Sequence, residues 1–290
     1  MKGQVLVTSA SSVVGEHIVK DLSARGTPVR AMIFDLERKD ELRLPNVELV
    51  WGDLRDEDAV RAAMQDVDKV YLATPLAKDM LDITKRVVNE AERAEVRSVV
   101  RQSFFGAEQG VTTAHRLHRE CEKVVQSSIM DHTILRPNLL MQGFSRYFAG
   151  PIKENGELRR PVGQGRTSHI DAFDVGRAAA FVLDGNWHNG RKYCLTGPKA
   201  LSDEDVAKEL SSRLGKEVRA VDADPEETYA ALLQRTGDDW KAKAMLQVLQ
   251  MERASLLSPV TNDLKALTGS GPRSFAQFLN DNLSSFQEQA

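Results

Sequence analysis

Only two cysteines, Cys121 and Cys194, occur in 290 residues. That is too few for a disulfide framework or a four-thiolate metal site, and it points to a reducing compartment. No apolar run approaches the roughly 18 residues that would span a bilayer. Met1 leads straight into a strand-like segment, with no signal-peptide apolar region, so the expectation is a cytoplasmic protein. Neither sign of charge dominates. A formal net charge of −3 argues against a dedicated nucleic-acid surface or a face for anionic membranes. The six histidines and two cysteines show no zinc-ligand spacing, so no metal is expected. There is no Gly-x-Ser-x-Gly nucleophile elbow, no internal repeat and no low-complexity segment.

What remains is an ordinary globular composition, 41% hydrophobic and 28% charged, in a chain long enough for a large core plus a smaller lobe. The organising stretch runs from Gly3 to Leu22. Gln4 to Val7 is a short Val/Leu run suited to a buried parallel strand, Thr8 to Ser12 is small and polar, and Val14, Ile18, Val19 and Leu22 fall at helical spacing. Strand, tight turn and helix open a dinucleotide-binding fold, in which helix amides and the helix dipole face a diphosphate. The glycines usual in that turn are mostly missing. Ser9 and Ser12 stand where the first two belong, and only Gly15 remains.

Strand-like and helix-like runs then alternate. Strands are expected at 29–34, 47–51, 69–73, 98–103 and 132–136, with helices at 57–65, 80–94 and 115–127. Such spacing gives right-handed βαβ units and a parallel sheet. Residues 144–165 read as irregular. A helix is expected at 175–183, strands at 192–196 and 218–221, and a helix at 202–214 capped by Ser202 with Asp205 three positions on. Residues 225–290 look mostly helical. The predicted fold class is α/β, a doubly wound parallel sheet (Rossmann) with a smaller, mostly helical C-terminal lobe. Residues 1–150 would form the core and 151–290 the lobe, interleaved with it and without a clear linker.

Several stretches in order resemble one family: VLVTSASSVVGEHIVKDL (Val5–Leu22), VWGDLRD (Val50–Asp56), HRECEKVV (His118–Val125), HTILRPNLLMQGF (His132–Phe144), HIDAFDVGRAAAFVL (His169–Leu183) and KYCLTGPKALSDEDVAKEL (Lys192–Leu210). The set is similar to NmrA-like proteins, atypical members of the short-chain dehydrogenase/reductase superfamily, over roughly residues 3–235. The resemblance implies a Rossmann fold binding NADP or NAD. Some members of the family reduce small molecules such as quinones and dyes, and others act as redox-sensing regulators.

The candidate cofactor residues follow from the turn and from the resemblance. Thr8, Ser9, Ser11, Ser12, Val13, Val14 and Gly15 would meet the diphosphate; the alternative is a plain polar turn with Ser11 or Ser12 as helix cap. Where the family often carries an Arg for the 2′-phosphate of NADP, this chain has Phe34. Asp35 beside it would accept from ribose hydroxyls and favour NAD, whereas Arg38 and Lys39 could still reach a phosphate. With the family's habit, the reading adopted is NADP over NAD. The resemblance places Asp53 and Leu54 at the adenine, and Ala73, Thr74 and Pro75 at the ribose and nicotinamide.

No Tyr-x-x-x-Lys occurs at the matching helix. There His118 falls where quinone-reductase-like relatives carry a His, with Glu122 one turn on. A His of ordinary pKa could supply a proton or position a ligand. Ser103 would be the serine equivalent, and both are taken as catalytic candidates. Gln102, Asn138, Met141 and Phe144 are expected to face a flat, hydrophobic substrate. Arg159, Arg160 and Arg166 read as a basic patch, either an anion contact or a solvated surface. The expected partner is a small molecule; the helical tail leaves room for a homodimer. Three function classes stay open: a reductase of a small carbonyl, quinone or imine-like substrate, a non-catalytic NAD(P)-binding regulator, and a same-fold enzyme that has dropped the nucleotide.

Overall fold

The computed structural model describes residues 3–34 and 39–287, and of Lys39 the backbone only. The expectations for Asp35, Arg38 and the Lys39 side chain therefore concern positions outside the described residues. In chain order the elements are β1 (Gln4–Val7), α1 (Val13–Ala24), β2 (Val29–Ile33), β3 (Val47–Trp51), α2 (Glu57–Ala63), β4 (Val67–Leu72), α3 (Met80–Arg93), β5 (Ser98–Gln102), α4 (Thr113–Gln126) and β6 (Asp131–Pro137). There follow α5 (Gln142–Tyr147), α6 (Ala149–Asn155), β7 (Glu157–Arg160), α7 (Ala172–Asp184), β8 (Lys192–Leu195), α8 (Asp203–Leu214), β9 (Arg219–Asp222), α9 (Pro225–Thr236), α10 (Asp239–Arg253), α11 (Asp263–Thr268) and α12 (Phe275–Asn282).

Seven strands form one sheet in the order β3-β2-β1-β4-β5-β6-β8, and every pair is parallel. The order reverses direction between β1 and β4, the point where ligands bind in doubly wound folds. One face of the sheet is covered by α1 and α7, whose Val14, Ile18, Val19, Val175, Ala178 and Ala179 share a core with the sheet. The other face packs Ile83, Val87 and Val88 of α3 and Val125 of α4. Burial on both faces explains the near-continuous apolar strands. The α1–α7 crossing is close: a Cβ at Gly176 would meet His17 Cβ at 2.4 Å. Lys69 of β4 is buried and donates to the Leu183 and Gly185 carbonyls at the end of α7, 2.5 and 2.6 Å away, a cation where the helix dipole favours one.

Residues 144–165 correct the sequence reading. They hold most of α5, all of α6 and all of β7, which pairs with β9 in a two-stranded sheet. Pro151 sits in the first turn of α6, where its missing N–H is harmless. This part has its own core, in which Phe144, Ile152, Leu158, Leu210, Phe275 and Phe278 meet. Ser202 and Asp205 form a reciprocal capping box at α8, as their spacing implies.

Candidate active site

The turn after β1 is held by side chains of its own. Thr8 is fully buried; its hydroxyl donates to the Tyr71 carbonyl (2.9 Å) and accepts from the Ala73 amide (3.0 Å). It ties β1 to the end of β4, so its side chain is not a phosphate ligand. Ser9 takes a left-handed φ of 53°, the conformation a glycine would adopt freely, and its hydroxyl turns to the Ala73 carbonyl at 3.3 Å. Ser12 is the N-cap of α1 and accepts from the Gly15 amide at 3.1 Å. Ser11 is half-buried beside it.

Both hydroxymethyl groups that replace glycine hydrogens are thus engaged locally. A Cβ at Gly15 would sit 2.4 Å from the Ser9 carbonyl oxygen, which only a bare α-carbon permits. Among the described residues nothing accepts from the Val13 and Val14 amides. Two free amides on a twelve-residue helix make an anion cradle. The turn fits a dinucleotide diphosphate, held by Val13, Val14 and the helix dipole.

Around that cradle, Phe34 follows β2 and is 66% exposed; it offers no cation to a 2′-phosphate. Asp53 accepts from the Arg55 amide at 2.9 Å in the turn after β3. Leu54 is a core side chain whose carbonyl accepts from Arg86. Ala73 is buried, Pro75 is exposed, and the Thr74 hydroxyl accepts from Arg101 at 2.8 Å.

A cavity of about 450 Å³ runs from the cradle into the C-terminal helices. Val13, Leu76, Phe104 and His118 form its wall on the sheet side. Leu139, Leu140, Phe144, Tyr147 and Phe148 come from the segment after β6, and Leu232, Met245 and Leu249 of α9 and α10 close it. Its lining is mostly apolar, which suits a flat organic ligand.

His118 is on that wall, its ring tilted 42° to that of Phe104 with centroids 5.9 Å apart. Burial, with the Arg101 guanidinium adding to it, pushes the ring down to about 3. Its Nδ1 is buried without a hydrogen-bond partner, and the residue lines the cavity. Burial keeps this ring uncharged near neutrality, which suits the second of the two roles expected for it, positioning a ligand.

Ser103 is not among the residues that line the cavity. It is 3% exposed and donates to Glu122 at 2.6 Å, away from the cavity. Glu122 is fully buried, and Arg136 grips both its oxygens at 2.7 and 2.8 Å. Burial raises that carboxyl, but the bonds from Arg136 and Ser103 bring it below the ordinary carboxylate range. Gln102 accepts from the Tyr71 hydroxyl. Asn138 is 2% exposed, and its amide binds Ser168 Oγ (2.8 Å) and the Leu257 carbonyl (2.9 Å). Met141 lies in the lobe core. Of the four expected substrate contacts only Phe144 lines the cavity.

The arginine patch divides. Arg159 pairs with Glu157 and Arg166 with Asp205 at the surface. Arg160 is 3% exposed, bonded to Asp203 at 2.6 Å and to Glu252, with its guanidinium 5.0 Å from the Phe144 and Phe148 rings. His169 Nε2 lies 3.2 Å from the other Glu252 oxygen. Burial alone would raise the Glu252 carboxyl; Arg160 and His169 hold it at about 2. Arg160, His169 and Glu252 all line the cavity. The sequence carried no sign of this cluster, whose members lie on β7, α10 and the loop before α7. Among the described residues no group of three metal-ligating side chains occurs, and no helix is long and apolar enough to cross a membrane.

A family model described as NAD(P)H-binding matches residues 10–181. The NAD(P)H azoreductase of Xenophilus azovorans is 31% identical over 97% of this chain and 99% of its own length. The Citrobacter sp. triphenylmethane reductase, solved with NADP(H), superposes with a TM-score of 0.83 at 21% identity over 96% of this chain and 99% of that one. NmrA, a negative transcriptional regulator solved with NAD, gives 0.76 at 17% identity over 96% and 94%. The chain belongs to the NAD(P)H-binding family and shares its fold with triphenylmethane reductase and NmrA.

Proposed function

We propose that this chain is an NAD(P)H-dependent reductase of a small, largely apolar acceptor, a conjugated carbonyl, quinone or imine-like compound. One observation carries the reading: Val13 of the diphosphate cradle and His118 open on the same mostly apolar cavity. The bound dinucleotide would supply the hydride. The chain's part is to hold the diphosphate on the Val13 and Val14 amides and to seat the acceptor against Phe104 and Phe144, away from water. It also places the His118 ring at the acceptor's heteroatom. A neutral imidazole with its proton on Nε2 donates a hydrogen bond where negative charge develops, a role that needs no titration near neutrality. Orientation of two reactants supplies much of the remaining rate. NADPH is the proposed donor, on the family's habit. The azoreductase relative supports a reductase, and acceptors of the azo type belong in the first substrate panel.

Fluorescence titration with NADPH and NADH, followed by nucleotide oxidation with quinones, azo dyes and conjugated carbonyls, tests the proposal. Binding with acceptor-dependent oxidation is the expected result. Binding without turnover on the whole panel would favour the regulator, a reading to which the missing Tyr-x-x-x-Lys lends weight. No binding of either nucleotide overturns both.

A further inference from the structure

The cavity's inner charges are paired with one another, whereas Arg146 on its wall has no carboxylate partner among the described residues. Arg146, on α5, lines the cavity and is exposed. Its guanidinium carbon lies 5.7 Å from the centroid of the Tyr147 ring, and that of Arg235, in the last turn of α9, lies 4.9 Å from the same centroid. Arg235 also donates to the Arg146 and Tyr147 carbonyls, which fixes it against α5. Among the described residues neither arginine has a carboxylate within ion-pair distance. Glu252, the carboxylate on the cavity wall, is already taken by Arg160 and His169. Arg146 on the cavity wall and Arg235 on the adjoining surface are ordered by one aromatic ring, on a chain of net charge −3, and form a local positive field beside the apolar cavity.

We infer that Arg146 and Arg235 form an anion subsite. The substrate then carries a sulfonate, carboxylate or phosphate on an apolar body, with the charge held by the two arginines and the body inside. This rests on the reductase reading for the word substrate, but the binding claim stands apart from turnover. The fork geometry of guanidinium matches such oxyanions, and charge-assisted bonds are the stronger kind.

The probes are naphthalene-2-sulfonate and its neutral counterpart 2-naphthol, whose binding to the full-length protein is followed by their own fluorescence. Arg146→Gln and Arg235→Gln should each weaken the sulfonate about tenfold, the effect of losing one charge-assisted bond, and leave 2-naphthol within twofold. Added salt should weaken the sulfonate alone. Arg146→Gln leaves the carbonyl bonds of Arg235 in place, so its result does not hinge on refolding of α9. Equal losses for both probes, or none for the sulfonate, overturn the subsite. So does weaker NADPH binding with unchanged sulfonate binding, which would assign the arginines to the nucleotide. Arg-dependent sulfonate binding with no reductase activity would sink the reductase reading and keep the subsite; equal turnover of neutral and sulfonated quinones with no Arg effect would do the reverse.

Discussion

At Ser12 a hydroxyl occupies an amide that a phosphate would otherwise use. Replacing it with Gly frees the Gly15 N–H, so Ser12→Gly should tighten NADPH binding about three- to tenfold in a fluorescence titration. Losing the cap to Gly should lower stability by only a few tenths of a kcal/mol. Unchanged or weaker affinity would show that the hydroxyl helps the nucleotide. His118 sits on the same cavity in neutral form. His118→Ala should lower kcat about a hundredfold with NADPH affinity within twofold, while His118→Gln, which keeps an N–H donor, should lose less. The wild-type rate should show no ionisation from this ring near pH 6.5. Its stability effect has a definite sign. The folded pKa lies below the unfolded one, so the neutral ring favours the fold above about 6.5, and that contribution is lost as pH falls toward about 3. The loss is at most about 1.4 kcal/mol per pH unit for a ring that keeps an edge on the cavity. Urea midpoints between pH 7 and 5 should fall more steeply for wild type than for His118→Gln.

The element that depends on closest approach is α7. Ala is the better helix former by about 1 kcal/mol, yet Gly176→Ala should destabilise by about 1–3 kcal/mol, because the added methyl runs into His17 of α1. A higher melting temperature for that variant would refute the tight crossing. Two residues earlier, Asp174 is fully buried, accepts from the Arg273 amide at 2.6 Å and meets Arg177 at 3.0 Å. Burial pushes its carboxyl up to about 6. A raised folded pKa stabilises below the unfolded value and is lost as pH rises through 6. Asp174→Asn should therefore gain on wild type between pH 4 and 7 in thermal melts; a gap that does not change with pH would contradict that assignment. Elements of the sheet and its helices were legible in the sequence because strands buried on both faces must be Val, Ile and Leu runs. Residues 144–165 were not. Gly150, Pro151 and three arginines hid two short helices and a strand, and nothing local says that Arg160 is an interior residue. The same holds for the site. Gly15 and Phe144 could be placed from turn chemistry and resemblance, but Ser103 and Asn138 are withdrawn from the cavity by partners 19 and 119 positions away.

Across the whole molecule, β7, α8, α10 and the loop before α7 meet at Arg160, Asp203, Glu252 and His169. Removing one partner from such a cluster leaves an uncompensated interior charge. Glu252→Gln should destabilise the protein by about 3–5 kcal/mol in urea unfolding; a loss below about 1 kcal/mol would mean that water already solvates Arg160. The stretch between Asp203 and Glu252 has another bearing, on synthesis. A message broken there yields a polypeptide with an intact diphosphate turn, an interior guanidinium short of one counter-ion, and greasy cavity walls without their roof. Such a fragment would be recognised by proteases and chaperones rather than tolerated, so a lesion at codon 240 should abolish the protein as completely as one at codon 40.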